Sequence, residues 1–346
     1  MTTFSFLDDY SEGTHPAIVR ALIDSNLEQH QAYGDDAFSA EAARSIQACL
    51  GSASDADIYF VASGTMANIV SISSCLRPHE AVIAASSGHI VAREAGAIEA
   101  TGHKLIVAPA VDGKLTPAAI EEALANNSHF PHMAKPRLVY LSNATETGTV
   151  YTLNELRAIS TLARKHDLIL FLDGARLGVA LAAAKSDVTL EDIATLVDIF
   201  WIGGTKAGAL IGEAIVVCNP VLKKDFAFHI KQRGGMLAKG RLLGIQFKEL
   251  FGDEQLIFSL ARHANAMAAK LASGIKERGY EFAAETETNQ LFPVLPNSVI
   301  AKLQQDFSFY IWQKVAHEQS VVRLVTSWAT DEHQVDAFLE KLVIAR

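Results

Sequence analysis

The fold is decided by one stretch of the sequence, Ile199-Phe-Trp-Ile-Gly-Gly-Thr-Lys-Ala-Gly208. It predicts a buried apolar strand that runs directly into a glycine-rich loop with a single lysine, Lys206. Glycine lets the backbone approach a ligand closely, and a lysine held in a pocket loses its proton more easily. Since an unprotonated amine can form an imine, we interpret Lys206 as a candidate nucleophile, with an ordinary surface lysine as the alternative. The loop lacks the Gly-Lys-Ser/Thr of a phosphate-binding P-loop, which argues against a nucleotide site here.

Two other segments place polar residues directly after an apolar strand. In Leu168-Ile-Leu-Phe-Leu-Asp-Gly-Ala-Arg-Leu177, Asp173 ends the strand, and a partly buried carboxylate needs a cation or a strong donor such as a pyridinium N–H. The alternative is that Asp173 caps the next helix or pairs with Arg176. In Tyr59-Phe-Val-Ala-Ser-Gly-Thr-Met-Ala-Asn68, the Ser63-Gly-Thr65 turn opens a helix whose N–H groups and hydroxyls suit a phosphate. An ordinary capped helix start has the same pattern.

Together the three segments are more specific than any one of them. Ligands of an α/β protein bind at the carboxyl ends of the strands, so the three segments are expected to meet there. They supply an anion holder, a partner for a ring nitrogen and an imine-forming amine, which are the groups that pyridoxal 5'-phosphate (PLP) requires. The sequence therefore predicts a PLP site with Lys206 as the Schiff-base lysine.

Alternation of short apolar runs with amphipathic stretches, from about Pro16 to Val217, predicts an α/β protein with a mostly parallel sheet. Several runs are apolar on both faces, as expected for strands that are buried on both sides. The predicted strands are Asp57–Val61, Ala81–Ala85, Leu105–Pro109, Leu138–Ser142, Ile169–Asp173, Ile199–Ile202 and Ala214–Cys218. The predicted helices include Ser63–Leu76, Pro117–Asn126, Leu153–His166 (capped by Thr152 or Asn154), Glu254–Arg278 and Glu332–Val343.

A chain of 346 residues exceeds most single cores, so we expect a large domain and a smaller one. The strand–helix alternation gives way to a mixed pattern from about Phe247, which places the change near Gly240–Gly252. We predict an N-terminal arm over residues 1–16, a large PLP-binding domain over 17–240 and a smaller C-terminal α+β domain over 241–346.

Composition and charge argue against several classes of partner. The formal net charge is −9, from 30 basic and 39 acidic residues without a basic stripe, so nucleic acid is not an expected partner. The three cysteines Cys49, Cys75 and Cys218 are far apart and lack a CxxC spacing, which argues against a disulfide framework and a structural zinc site, and we predict no metal. Neither a signal-like apolar segment nor a run long enough for a bilayer is present, so we expect a cytoplasmic protein without membrane association.

Over essentially its whole length the chain resembles the threonine aldolase/β-eliminating lyase family of fold-type-I PLP-dependent enzymes. The matching elements are Tyr33-Gly-Asp-Asp36, Ser63-Gly-Thr-Met-Ala-Asn68, His89 with Glu94-Ala-Gly96, Asp173-Gly-Ala-Arg176, Thr205-Lys206 and Val322-Arg-Leu-Val325. The resemblance implies a fold-type-I PLP-dependent transferase-like architecture. It also implies a homodimer or a dimer of dimers (a homotetramer), with each active site built at a subunit interface.

The resemblance implies roles for individual residues. Lys206 would form the Schiff base, Asp173 would pair with the pyridinium nitrogen, and His89 would stack on the cofactor ring. The predicted cofactor-binding residues are Lys206, Asp173, Gly64, Thr65, Ser63, His89, Arg176, Thr205 and Arg233. The predicted substrate-binding residues are Arg323, Arg176, Tyr33 and Ser11, with Arg323 as the main carboxylate clamp because a planar guanidinium binds a carboxylate through two bonds. A plain loop histidine at 89 and a surface ion pair at 323 are the alternatives.

Three places depart from the family pattern. Glu146 lies in Asn143-Ala-Thr-Glu-Thr-Gly148, where the family usually carries a histidine in Thr-His-Asn-Gly. The reference pKa of glutamate, about 4.3, suits neutral pH poorly unless burial raises it. Leu237 replaces the arginine of the family's GGGMRQ, so Arg233 or Lys239 would supply the phosphate charge. Asp9-Tyr-Ser-Glu12 replaces a more usual Ser-Asp pair.

We therefore expect a PLP-dependent lyase that cleaves the Cα–Cβ bond of a β-hydroxy-α-amino acid and gives glycine and an aldehyde. The predicted catalytic residues are Lys206, His89 and Glu146, and the candidates for the base are Glu146, then His89, then an ordered water. The alternatives within PLP chemistry are β-elimination from a substituted alanine and cleavage of an aryl-substituted (phenylserine-type) substrate. A non-catalytic PLP-binding protein remains a further alternative. A nucleotide-dependent oxidoreductase is disfavoured, because no strand is followed by G-x-G-x-x-G.

Overall fold

The computed structural model describes residues 3–53 and 55–342. Its strands are β1 (Phe4–Ser5), β2 (Asp57–Val61), β3 (Glu80–Ala85), β4 (Lys104–Ala108), β5 (Lys135–Ser142), β6 (Ile169–Asp173), β7 (Ile199–Gly203), β8 (Glu213–Val217), β9 (Gln290–Leu291), β10 (Val294–Pro296), β11 (Phe307–Ser308), β12 (Tyr310–Ala316) and β13 (Gln319–Val325).

Its α-helices are α1 (Pro16–Asp24), α2 (Ala37–Ala48), α3 (Gly64–Cys75), α4 (His89–Ala92), α5 (Pro117–Asn126), α6 (Leu153–Lys165), α7 (Leu177–Leu181), α8 (Leu190–Leu196), α9 (Pro220–Lys223), α10 (Phe226–Gln232), α11 (Arg241–Leu250), α12 (Leu256–Glu277), α13 (Asn297–Leu303) and α14 (Glu332–Lys341). Two short 3-10 turns lie at Gly51–Ala53 and Glu99–Thr101.

A central sheet with the strand order β2-β8-β7-β6-β5-β3-β4 forms the large part of the molecule. The strands from β7 through β6, β5 and β3 to β4 are parallel, whereas β8 is antiparallel to both of its neighbours. Every residue of β3, β6, β7 and β8 is buried. This burial is expected where helices cover both faces of a sheet, and it explains why these strands read as unbroken apolar runs.

All seven strands predicted from the apolar runs are present. Their ends differ by at most three residues from the prediction, the largest difference being the earlier start of β5 at Lys135. The three predicted helices around the sheet are also present as α3, α5 and α6. Thr152, rather than Asn154, caps α6, because its hydroxyl accepts from the backbone of Glu155 while the Glu155 carboxylate accepts from the backbone N–H of Thr152.

The C-terminal part has a smaller sheet in the order β10-β13-β12, with β9 also paired to β13. It shares a hydrophobic core with α12 and α14, and α12 corresponds to the long helix predicted over Glu254–Arg278. The last helix was predicted to end at Val343, a residue that lies outside the described part of the chain. The structure gives this helix, α14, as Glu332–Lys341.

The long helix α12 contributes residues to two of the large hydrophobic cores. The core beneath the large sheet includes Phe247, Leu250 and Ile257, whereas the C-terminal core begins with Ala268 and also takes Phe6 from the N-terminal segment. Helix α11 therefore packs with the large core. The division at residues 16/17 and 240/241 stays a prediction.

No helix in the described residues is long and apolar enough to cross a membrane.

Candidate active site

A pocket lies at the carboxyl ends of β5, β6 and β7, where parallel strands of an α/β sheet present their following loops. The predicted site residues Gly64, Thr65, His89, Glu146, Asp173, Arg176 and Lys206 all line it. The three sequence segments that were singled out above therefore meet at one place. Residues of the pocket wall that had no predicted role are Asn68, Glu94, Ser142, Ala144, Thr145, Ala175 and Trp201.

Asp173 is the last residue of β6 and is only 3% exposed. Its Oδ2 accepts a hydrogen bond from the Tyr140 hydroxyl at 2.6 Å and from Asn68 Nδ2 at 3.0 Å. Its Oδ1 accepts from the backbone N–H of Ala175 at 3.0 Å. These donors replace the water that burial removes, which is what a buried carboxylate requires. Neither alternative predicted for Asp173 occurs, because it forms no ion pair with Arg176 and does not cap α7.

Asn68 joins this acid to a second one. Besides Asp173, its Nδ2 contacts Glu94 Oε1 at 2.8 Å, and its Oδ1 accepts from the indole N–H of Trp201 at 3.0 Å. Glu94 Oε1 also lies 2.7 Å from His89 Nδ1. Since the Glu94 side chain is fully buried, the pair fixes the imidazole against the wall of the pocket and makes Glu94 an orienting partner of His89.

Lys206 borders the same pocket and also lines a narrow cleft that extends toward Leu260 and Trp328. Burial lowers the pKa of its amine, and the nearby Arg176 guanidinium lowers this pKa further, while Asp9 and Asp173 oppose the shift. A lower pKa leaves more of the amine unprotonated and able to form an imine. This environment favours the unprotonated amine, and the role of Lys206 as the Schiff-base lysine stays a prediction.

The turn from β2 into α3 has the features of an anion site. The Ser63 hydroxyl caps the helix by accepting from the backbone N–H of Met66 at 3.3 Å, and the Ser63 side chain does not line the pocket. The first N–H groups of a helix, here those of Gly64 and Thr65, have no carbonyl partner within the helix. A Cβ at Gly64 would lie 2.8 Å from the Trp201 ring, so only glycine fits between this turn and the indole.

Glu146, the residue in place of the family histidine, faces the pocket beside His89. Its Oε1 accepts from the backbone N–H of His89 and from the Ser142 hydroxyl, each at 2.8 Å. Burial raises the pKa of its carboxyl, a shift that the Ser142 hydroxyl opposes and the nearby Asp173 reinforces. A glutamate with a raised pKa is closer to the value that suits proton transfer at neutral pH.

The two candidate arginines differ in their partners. Arg176 is held bidentately by Asp9, with Nε–Oδ2 at 2.7 Å and Nη2–Oδ1 at 2.9 Å, so its guanidinium is already neutralised within the chain. Arg323 donates from Nε and Nη2 to the neutral Oε1 of Gln290, and no carboxylate in the described part of the chain forms an ion pair with it. Burial lowers the pKa of Arg323 to about 10, and the charge of Arg176 adds to this effect.

Besides Ser63, five predicted residues do not line the pocket within one chain, namely Arg323, Tyr33, Ser11, Arg233 and Thr205. Tyr33 is exposed, with the Lys231 amine 4.2 Å from its ring centroid, and Ser11 is exposed and donates to Asp8. Arg233 has a buried Nε without a hydrogen-bond partner among the described residues. Thr205 precedes Lys206 but turns its hydroxyl to Glu213 at 2.9 Å. Their predicted roles stay predictions.

Known proteins share this architecture over nearly the whole chain. The family model described as beta-eliminating lyase matches residues 6–297. This chain belongs to the beta-eliminating lyase family. Membership confirms the family that was predicted from the residue motifs.

Several known proteins resemble this chain. The low specificity L-threonine aldolase of Pseudomonas aeruginosa is 32% identical over 337 residues, which cover 96% of this chain and 95% of that protein. The structure of Leishmania major threonine aldolase superposes with a TM-score of 0.96 at 49% identity and covers 98% of each chain. An aspartate aminotransferase of Thermus thermophilus has a TM-score of 0.70 at 16% identity, covers 98% of this chain and 90% of that one, and shows likeness of fold alone. The predicted fold class is thereby confirmed.

Proposed function

We propose that this member of the family is a PLP-dependent lyase that cleaves the Cα–Cβ bond of a β-hydroxy-α-amino acid, giving glycine and an aldehyde. The predicted class of activity is borne out by the relatives, which carry the name threonine aldolase at 32% and 49% identity over nearly the whole chain. One observation of the structure supports the proposal most strongly. Lys206, Asp173 and Glu146 line one pocket at the ends of neighbouring strands.

The residues of the pocket fit PLP by their chemistry. Asp173 is a buried carboxylate that the protein's donors hold in place, and an acid of this kind suits the N–H of a pyridinium ring. Gly64 and Thr65 would hold the phosphate at the start of α3. His89, fixed by Glu94, would lie against the ring. When bound, PLP supplies an aldehyde for the lysine amine and an electron-withdrawing ring for the substrate.

Arg323 is the better candidate for holding the substrate carboxylate. Arg176 already donates from Nε and Nη2 to Asp9, so a second carboxylate would have to share a guanidinium that is held in a buried ion pair. Arg323 has only a neutral partner, Gln290, whose Nε2 in turn donates to the backbone oxygen of Thr145 in the pocket wall. A planar guanidinium placed in this way can accept a carboxylate through two parallel hydrogen bonds.

Glu146 is our first candidate for the group that takes the proton from the substrate's β-hydroxyl. It faces the pocket, its pKa is raised by burial, and two donors fix its position. His89 and an ordered water are the other candidates. Bond cleavage needs the hydroxyl proton to leave as the aldehyde forms, so the base must be unprotonated when the substrate binds.

We further propose a cytoplasmic homodimer or dimer of dimers, in which Tyr33, Ser11 and Arg233 act at a subunit interface. Support comes from their position outside the single-chain pocket and from the exposure of Tyr33 and Ser11. Sedimentation of the full chain tests the assembly.

A product assay tests the activity. The purified chain with PLP is offered threonine, a phenylserine-type substrate and a β-substituted alanine, and the products are separated. We expect glycine and the matching aldehyde from the β-hydroxy substrates. Pyruvate and ammonia as the main products, with little glycine, would replace this proposal by β-elimination.

A further inference from the structure

Behind the loop of Lys206 lies a buried acid, Glu213, to which neither the motifs nor the proposed function gives a role. It is the first residue of β8, is 5% exposed and is the register partner of Gly203, the last residue of the antiparallel strand β7. A charged group at such a depth is costly, so its contacts are informative.

The two carboxylate oxygens of Glu213 hold the two residues that precede Lys206. Oε2 accepts from the backbone N–H of Gly204 at 2.8 Å, and Oε1 accepts from the Thr205 hydroxyl at 2.9 Å. The Thr205 hydroxyl also accepts from the backbone N–H of Gly212 at 3.1 Å. The turn that carries the lysine is thus fastened to the start of β8 by one side chain.

The same turn has no space in which to shift. The backbone N–H groups of Gly204 and Thr205 both point to the Gly212 carbonyl at 3.1 Å. A Cβ at Gly204 would lie 2.6 Å from that carbonyl oxygen and 2.8 Å from the Phe247 ring. The backbone that leads into Lys206 is therefore held by Glu213, by the Gly212 carbonyl and by the Phe247 ring.

Four charged groups face the Lys206 amine. Arg176 follows β6, Asp173 ends β6, Asp9 belongs to the N-terminal segment, and Glu213 opens β8. The ring centroid of Tyr10 lies 5.9 Å from the amine. Burial raises the pKa of Glu213, and the positive charge of Lys206 opposes this rise. Glu213 is thus one of three acids around the amine, and it is the one that also holds the turn.

We propose that Glu213 is a positioning residue for Lys206, which fixes the turn that carries the amine and supplies a negative charge beside it. The inference rests on the proposed function only for the role of Lys206 itself. A purely structural acid would hold the turn without changing how readily the amine loses its proton. This difference is measurable.

The test follows the reactivity of Lys206 in the full-length chain without PLP. Acetic anhydride is the probe, and mass spectrometry of the peptide containing Lys206 gives the acetylation rate between about pH 6 and pH 10, the range in which a buried lysine titrates. In Glu213→Gln we expect the midpoint of this profile to move to lower pH by about one unit, because a nearby negative charge no longer favours the protonated amine. An unchanged midpoint would overturn the proposal.

Two control variants separate charge from turn geometry. Thr205→Val removes one hydrogen bond to Glu213 but keeps its carboxylate, so we expect a smaller shift than in Glu213→Gln. Equal shifts in both variants would show that turn geometry alone acts on the lysine, and would refute the role of the charge. Glu80→Gln alters another buried acid, at the amino end of β3, and should leave the Lys206 profile as it is.

If Glu213→Gln fails to fold, Glu213→Asp decides the question. This variant keeps the charge but shortens the side chain, so the midpoint should stay near that of the original chain while amide hydrogen exchange of residues 203–207 becomes faster. Exchange that stays as slow as in the original chain would contradict the positioning role. Both readouts use the chain without PLP, so they stand even if the product assay rejects the proposed function.

Discussion

Asp173 lines the pocket, whereas Arg323 reaches the pocket wall only through Gln290, and the structure surrounds these two charged groups differently. Asp173 receives hydrogen bonds from Tyr140 on β5, from Asn68 on α3 and from the backbone of Ala175 in the loop after β6. Arg323, on β13 of the C-terminal part, has one neutral hydrogen-bond partner, Gln290. Nearby Arg176, by contrast, is neutralised by Asp9.

The different surroundings of Asp173 and Arg323 indicate that the two groups bind different ligands. A carboxylate whose position is fixed by several donors suits a partner that stays in place through many reaction cycles, as a cofactor does. A guanidinium without an internal anion gains most from a charged ligand that binds and leaves. Asp173, at the end of a strand of the large sheet, would therefore hold PLP, and Arg323, in the C-terminal part, would hold the substrate.

Asp173→Asn has the largest expected effect. The change keeps the shape of the side chain but removes the charge that would pair with the ring nitrogen. We expect kcat/KM to fall by about a thousandfold, since loss of one partner of a buried charge pair costs about 4 kcal/mol. Steady-state kinetics with saturating PLP measure it. A loss of less than tenfold would mean that Asp173 does not serve the cofactor.

Glu146→Gln tests the proton acceptor. A general base contributes about a hundredfold or more, so kcat should fall by about that factor. In the original chain, kcat/KM should decline as the pH falls through the pKa of Glu146, which burial raises above 4.5. This acid limb should be absent from the variant.

Glu155→Gln is a matched control for Glu146, because Glu155 lies at the start of α6 and glutamine preserves its capping box. Its activity and its acid limb should match those of the original chain. Full retro-aldol activity in Glu146→Gln would exclude Glu146 as the base and leave His89 or water.

Arg323→Lys tests the predicted carboxylate clamp and has a smaller expected effect. The charge remains but the two-bond geometry is lost, so KM should rise by about tenfold with little change in kcat. Arg278→Lys, an arginine of the C-terminal part that donates to the Leu342 carbonyl, should leave KM unchanged. If Arg323→Lys altered kcat but not KM, Arg323 would not be the carboxylate clamp.

Tyr140→Phe should have the mildest effect, because Asp173 keeps its other two donors. Loss of one hydrogen bond worth about 1 kcal/mol predicts a decrease in kcat/KM of about fivefold. Tyr59→Phe removes a hydroxyl that contacts Asp57 at 3.4 Å, away from the pocket, and serves as the control. A hundredfold loss in Tyr140→Phe would show that the three donors to Asp173 are not interchangeable.

The sheet could be read from the sequence because strands buried on both faces leave unbroken apolar runs. Lys206, Asp173 and the Ser63-Gly-Thr65 turn could be placed at one edge because each lies at the end of such a run, whereas Glu146 was singled out by the resemblance to the family. Reactive residues at the end of a buried strand can therefore be predicted from the sequence.

The supporting contacts could not be read in the same way. Arg176 meets Asp9, and Asp173 meets Asn68, across separations of 167 and 105 residues. Tyr140 faces Asp173 only through the register of β5 on β6, and Glu213 faces Gly203 only through that of β8 on β7. These residues meet only when the chain has folded, and no pattern in a single sequence indicates which distant residues will come into contact.

Covalent labelling shows directly whether PLP forms its imine with Lys206. The chain is incubated with PLP, reduced with sodium borohydride, digested and mapped by mass spectrometry. We expect one stable pyridoxyl adduct, on Lys206, and its loss in Lys206→Ala. An adduct on other lysines with Lys206 unmodified, or no adduct at all, would exclude Lys206 as the Schiff-base lysine.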